Sequence, residues 1–304
     1  MSEPAIVIQE LRKSVSASFH LGPVTLNIPT GAVCALVGPN GAGKTTLLNL
    51  LMGAGPVDGG CARVFGHDVT TAPVEVKRLA ALVSPEISYR AWGTVGRAID
   101  FVSGFYPDWD PERCQYLLGH LGLWRQERID ALSFGGRVKL SLLLALARNA
   151  RLLLLDEPSI GLDPLARHQL YAELLAFMRD EQRTIVISSH QIAELERCAD
   201  YVAILNQGQL VASGTTPDLL ARYTELDVLL EREAVIEHAG LHLLVRNGQR
   251  ARVLWDRAAP QASLPVNNGE LQIIGERALT LEELLIALVK SKTGVRWRPR
   301  MGVA

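Results

Sequence analysis

The chain has 304 residues, 48% of them apolar, with 31 lysines and arginines against 32 acidic residues. That length and apolar share allow one large domain and a smaller one, and exclude a disordered or fibrous chain. The near-neutral balance excludes a global basic field, so no nucleic-acid partner is expected. The four cysteines, Cys34, Cys61, Cys114 and Cys198, are scattered with no CxxC or Cys/His cluster, as suits buried thiols in a reducing compartment. The opening MSEPAIVIQE lacks a basic segment followed by a long apolar run. The most apolar stretch, SLLLALARNARLLLLDEP, is interrupted by Arg148, Asn149 and Arg151 before it reaches the roughly 18 apolar residues a spanning helix needs. A cytoplasmic location is expected, with any membrane segment supplied by another chain.

In chain order, VCALVG at 33–38 is a short apolar run entering a glycine-rich turn, and TTLLNLLMG beyond it carries leucines at helical spacing. Strand, loop and helix are predicted there. Residues from about 85 to 148 show helical patterning with no continuous apolar strand, and Asp110 followed by Pro111 and Glu112 forms a cap and first turn. LLLLD at 152–156 and TIVISS at 184–189 are buried-strand candidates that lead into polar turns, as in a parallel α/β sheet. Short strands in AILNQGQLVASGT turn on Gly208, after which mixed strands and a closing helix near TLEELLIALVKS mark residues 218–304 as a separate region.

Residues 38–46 read GPNGAGKTT, which fits GxxxxGK[ST] without a gap. Gly38, Pro39, Asn40, Gly41, Ala42 and Gly43 let backbone N–H groups converge on phosphates. Lys44 can neutralise β and γ oxygens, and Thr45, followed by Thr46 in the first helical turn, offers a hydroxyl to magnesium. LLLLD then delivers Asp156 and Glu157 to the C-terminal edge of its strand, where ligands of open α/β sheets sit. Asp156 is placed to hold magnesium and Glu157 to polarise the attacking water. A nucleotide and Mg2+ are the expected ligands.

LSFGGRVKLSLLLALARN precedes Asp156 by about 20 residues, and with it the chain resembles the ATP-binding cassette family. LSFGG stands where that family has its LSGGQ-type signature, while SIGLDP at 159–164 and SSH at 188–190 match its D-loop and switch histidine in order. The resemblance covers about residues 5–217. It implies an α/β P-loop NTPase cassette with a mostly parallel core sheet, an antiparallel β subdomain and a helical subdomain at about 85–148. The ATPase domain would occupy 1–217, and a small α+β accessory region 218–304. It also implies a homodimeric ATP sandwich in which Ser133 and the Gly135 backbone cap the γ-phosphate of the partner's ATP, aided by a helix beginning near Gly136. Asp163 would lie at the dimer seam, and His190 would touch the γ-phosphate and hold the water.

Three departures stand out. Glu86, in LVSPEISY, replaces the family's glutamine and adds a carboxylate near magnesium and phosphate. Phe134 is bulky where glycine is commonest. The position where an aromatic usually stacks on adenine falls on Val15, with Phe19 four residues on. The expected function is the ATP-hydrolysing subunit of an ABC transporter, peripheral on the cytoplasmic face of the membrane and driving a separate permease. FYPDWD, the LSxG signature and the C-terminal appendage look most like ABC-2-type exporters. A soluble non-transport cassette usually has two cassettes or a coiled-coil insertion, and a regulatory cassette is opposed by the intact Lys44, Asp156, Glu157 and His190.

Overall fold

A computed structural model describes residues 3–189, 195, 198–230, 240–259 and 271–292. The chain divides into two compact units, Met1–Gln191 with Cys198–Leu210, and Ile192–Arg197 with Val211–Ala304. The boundary in the second half falls inside one strand, Gln209–Thr215.

The first unit begins with an antiparallel sheet of β1 (Ile6–Ser16), β2 (Phe19–Ile28), β4 (Gly59–Val64) and β5 (His67–Asp68), in the order β2-β1-β4-β5. Ile6 and Ile8 point into the core two residues apart, as the strand period requires. The register then shifts between Ile8 and Leu11, where Glu10 takes a φ of 50°, and this bulge returns Leu11 to the buried face.

The second sheet contains β3 (Val33–Val37), β6 (Ala80–Val83), β7 (Leu152–Asp156), β8 (Thr184–Ser189), β9 (Tyr201–Asn206) and β10 (Gln209–Thr215), in the order β10-β9-β3-β8-β7-β6. β3 runs parallel to β8 and β9, and β7 parallel to β8 and β6. All four leucines of β7 are fully buried, because helices cover both faces of a parallel sheet and leave no polar side for the strand. Among the described residues these sheets are accompanied by the helices α1 (Lys44–Leu51), α2 (Pro73–Leu79), α3 (Val95–Ser103), α4 (Pro111–Leu121), α5 (Phe134–Ala147) and α6 (Pro164–Phe177).

Helices α3 to α5 fill the segment between β6 and β7. The start of α4 follows its sequence signals: the Asp110 carboxylate accepts from the Arg113 N–H at 2.8 Å, and Pro111 occupies the first helical turn. Glu173 of α6 is almost wholly buried between Arg113 of α4, with which it forms an ion pair, and His120 of the same helix, whose Nε2 is 3.4 Å away. A buried carboxylate needs such partners, and this one ties the helical segment to the helix that follows β7.

The second unit contains a four-stranded antiparallel sheet, β11 (Tyr223–Leu230), β12 (Leu241–Asn247), β13 (Arg250–Asp256) and β14 (Leu271–Arg277), ordered β12-β13-β11-β14. It also holds the helices α7 (Thr216–Arg222) and α8 (Leu281–Lys292). Leu226, Val228, Leu241, Ala251 and Val253 form its apolar core. Arg222 donates to both oxygens of Asp256 at 2.7 Å. Burial raises the Asp256 carboxyl, but the Arg222 fork and the Ala258 N–H outweigh it and hold the group below the usual carboxylate range. Burial pushes the neighbouring Tyr223 phenol up to about 12.

Candidate nucleotide site

The loop of residues 38–43 leaves the end of β3 and feeds directly into α1. Gly43 adopts a φ of 104°, and a Cβ there would lie 2.8 Å from Leu21 Cδ1 and 3.2 Å from Phe19 Cζ, so both conformation and space require glycine. No side chain caps the start of α1 and no acidic residue lies in its first turn. Its N–H groups and positive dipole end are therefore left for an anion. The turn between β9 and β10 braces the loop from behind: the Gly208 N–H donates to Ala42 O at 3.0 Å, and the Gly22 N–H of β2 donates to Gly208 O at 2.7 Å.

Lys44 is only 7% exposed; its Nζ donates to Gly38 O at 2.8 Å and to Pro39 O at 3.3 Å, and stands 3.8 Å from Glu157 Oε1. Asp156, 3% exposed, is held from two sides. Thr45 Oγ1 donates to its Oδ2 and Ser188 Oγ to its Oδ1, each at 2.7 Å. Glu157 has a φ of 48°, a left-handed conformation that costs a non-glycine residue about 1–2 kcal/mol. Its N–H is anchored on Ser188 Oγ at 3.0 Å and Ser188 O at 3.2 Å. These bonds offset the strain of that conformation.

The paired Thr45 hydroxyl and Asp156 carboxylate suit a small hard cation. Among the described residues no group of three or more His, Cys, Asp or Glu could hold a metal, so the fit is to an ion that takes most of its ligands from water and phosphate, as magnesium does. Glu86 sits exposed on the loop after β6, whose Val83 is paired with Leu155 of β7. Its N–H donates to Ser84 Oγ at 3.3 Å, and nothing described ties its carboxylate to Thr45 or Asp156. His190 lies outside the described residues.

The LSFGG segment opens α5. The helix begins at Phe134, two residues before the expected start near Gly136, because Ser133 is its cap and accepts the Gly136 N–H at 3.0 Å. The hydroxyl accepts in that bond, which leaves its proton free to donate. Gly135 is buried beside Leu162 and Gly161. Phe134 leans over Gly161, which has a φ of 70°; a Cβ on Gly161 would come within 2.5 Å of Phe134 Cδ1. Two residues on, the Asp163 carboxylate caps α6 by accepting the Ala166 N–H at 2.9 Å, and that bond holds its carboxyl below the usual range. None of the described hydrogen bonds joins residues 133–136 to the loop at 38–43. Phe19 is half-buried against Gly43, whereas Val15 is largely exposed.

Sequence reasoning passed over Ser188. Its signal was present as two serines closing the strand TIVISS after an apolar run, both of them buried in the fold. It also missed a cavity of about 470 Å³ walled in part by Tyr89, Trp92, Phe101 and Phe105. The four rings step along it with centroids 5.7, 5.1 and 5.0 Å apart, and Phe105 is 64% exposed. Lys77, Arg78 and Arg148 also line it. Burial lowers the Arg148 pKa from its ordinary value, and the guanidinium donates to Tyr106 Oη at 2.7 Å.

Residues 21–160 match the family model described as ABC transporter. The daunorubicin/doxorubicin resistance ATP-binding protein DrrA of Streptomyces peucetius is 32% identical over 221 residues, which cover 71% of this chain and 66% of that protein. A solved ATP-binding subunit of an ABC transporter superposes with a TM-score of 0.65 at 25% identity, over 71% of this chain and 92% of the other. The ATP-binding cassette MJ0796, solved as a dimer in a post-hydrolysis state with ADP and Pi, shares the fold with a TM-score of 0.61 at 18% identity, over 69% of this chain and 98% of that one. With the phosphate loop, the Asp156–Glu157 strand end and the LSFGG helix start assembled as described, the chain belongs to the ABC transporter family and is an ATP-hydrolysing cassette of it.

Proposed function

We propose that this cassette powers a separate ABC-2-type permease that exports its cargo, working as a homodimer with ATP at two shared sites on the cytoplasmic face of a membrane. The observation that carries the reading is the gathering of Lys44, Thr45, Asp156 and Glu157 where β3 and β7 end, in a chain whose described helices are none of them long and apolar enough to cross a membrane. The drug-resistance relative and the dimeric cassette lend it support.

Residues 38–46 would wrap the phosphates, with Lys44 leaving Glu157 to meet the β and γ oxygens. Thr45 and Asp156 would hold magnesium, with the Glu86 carboxylate as a further ligand from the loop after β6. Magnesium supplies positive charge that neutralises the phosphate oxygens. Glu157 would then take a proton from the attacking water, general-base help worth about 10²–10⁴ in rate, while His190 orients that water. The partner copy would present the Ser133 hydroxyl and the Gly135 N–H to the γ-phosphate, so that one cassette alone is incomplete. Phe19, already against the loop at Gly43, is the ring offered to adenine.

The aromatic cavity supplies a seat for the permease. Phe101 and Phe105 in its wall are exposed apolar surface of the kind that marks an interaction site, and Lys77 and Arg78 favour a short segment carrying an acidic residue. The test is to reconstitute the cassette with the permease in vesicles and measure ATP hydrolysis and cargo movement. Glu157→Gln is expected to bind ATP while both activities vanish. ATP turnover that is indifferent to the permease and moves no cargo would overturn the transport reading.

A further inference from the structure

We propose that Ser188 is a positioning residue for hydrolysis: its one hydroxyl sets the Asp156 carboxylate and the left-handed turn at Glu157 together. This rests on the roles proposed above for those two acids. Ser188 is fully buried, and the parallel register of β7 and β8 pairs it directly with Asp156. Its proton is committed to Asp156 Oδ1 at 2.7 Å, so its lone pair faces the Glu157 N–H, which it receives at 3.0 Å.

Each bond alone is ordinary, but sharing one oxygen couples them. Asp156 has its other carboxylate oxygen on Thr45, so the Ser188 bond fixes the rotation of the group about that contact. Glu157 has a backbone conformation that a non-glycine residue keeps only when its surroundings impose it, and the hydroxyl is part of what imposes it. Removing the hydroxyl frees the carboxylate to rotate and loosens the turn that aims the base. Ser188 lies at the end of β8 and is held away from solvent, so it is not placed to touch nucleotide. The effect belongs in kcat rather than in binding. Losing a hydrogen bond that orients such a carboxylate typically costs about 10–100-fold.

The test compares wild type with Ser188→Ala, Ser188→Thr and Glu157→Gln as full chains, by ATPase kinetics, fluorescent-nucleotide binding, thermal melting and hydrogen exchange at the Glu157 amide. Ser188→Ala is expected to lower kcat about 10–100-fold with KM and nucleotide affinity within about threefold, and to speed exchange at Glu157. Ser188→Thr, which keeps the hydroxyl, is expected to recover most of kcat. If Ser188→Ala turns over like wild type while Glu157→Gln is inactive, the inference fails and the role of Glu157 stands. If Glu157→Gln turns over normally, that role fails and takes the inference with it. A Ser188→Ala chain that melts earlier with kcat and affinity reduced alike, or that does not fold while Ser188→Thr folds but keeps the kcat defect, also overturns the inference.

Discussion

Lys44 Nζ and Glu157 Oε1 stand 3.8 Å apart, so the cation that would meet phosphate rests against the carboxylate that would meet water. Both side chains are largely buried, which leaves their attraction less screened than on the surface. Nucleotide must displace this contact. Glu157→Gln is therefore expected to bind ATP several-fold more tightly than wild type while losing hydrolysis, because a neutral amide competes less for the lysine. Titration with a fluorescent ATP analogue measures it, and weaker binding in the variant would contradict the arrangement.

If the sites are shared between copies, two defects placed on different chains should be separable. A dimer of one Lys44→Ala chain and one Ser133→Arg chain has one site carrying both lesions and one carrying neither. Random mixing makes about half the dimers of this kind, so the mixture should recover about a quarter of wild-type ATPase although each variant alone is inactive. A mixture no better than its components would mean that each chain hydrolyses ATP by itself.

Glu86 differs from its proposed neighbours in carrying no described tie to them. Two unit charges about 4 Å apart interact by about 4 kcal/mol at an effective dielectric near 20, a repulsion from phosphate that bound magnesium would largely cancel. Glu86→Gln should shift the magnesium dependence and basal rate modestly, while Glu86→Ala should weaken stimulation by the permease more than ATP binding. Identical magnesium titrations for all three forms, with and without the permease, would make Glu86 a bystander.

Phe134 and Gly161 form a coupled pair. Gly161→Ala places a Cβ 2.5 Å from the Phe134 ring and forces alanine to a φ of 70°. The left-handed cost alone is about 1–2 kcal/mol, and the collision adds to it. Pairing it with Phe134→Ala should return the collision part but not the backbone part, a non-additivity visible in a thermal-melting cycle. Strict additivity would show that the ring does not rest on that loop.

In the second unit Arg222 and Asp256 make a pH-dependent staple. The Asp256 carboxyl titrates below its unfolded value, so its stabilisation is full above about pH 4 and is lost as pH falls through the lower folded value. Asp256→Asn should cost about 2 kcal/mol near neutrality by removing a charge-assisted fork. The deficit should shrink in acid, as read from denaturant unfolding at stepped pH. A deficit that stays constant into acid would assign the stabilisation to packing instead.

The legible parts of the fold were those written in local pattern. LLLLD and TIVISS could be read as buried strands because both faces are covered and the apolar run is continuous, and Asp110 announced α4 through its cap. β6 was missed, since four residues directly after α2 carry too little period to separate strand from helix end. The start of α5 was placed late because FGG looks like loop until Ser133 is seen capping it. At the site, Lys44, Thr45, Asp156 and Glu157 were named from motif chemistry, while Ser188 was hidden by the histidine two positions on. Its role depends on a strand register that pairs residues 156 and 188, which no local window contains. The order of the last four strands is equally non-local.

The brace behind the phosphate loop has a kinetic meaning. Residue 208 links the loop at Ala42 to β2 at Gly22 through two backbone bonds, so the cradle is fastened to two other segments, the β9–β10 turn and β2, before any nucleotide arrives. Little ordering entropy is then left to be lost on association, and encounter with ATP is governed by collision rather than by waiting for the loop to form. Slow steps of the cycle are displaced to whatever must travel; the backbone of the loop behaves as a fixed mould, and within it only the Lys44–Glu157 contact has to give way.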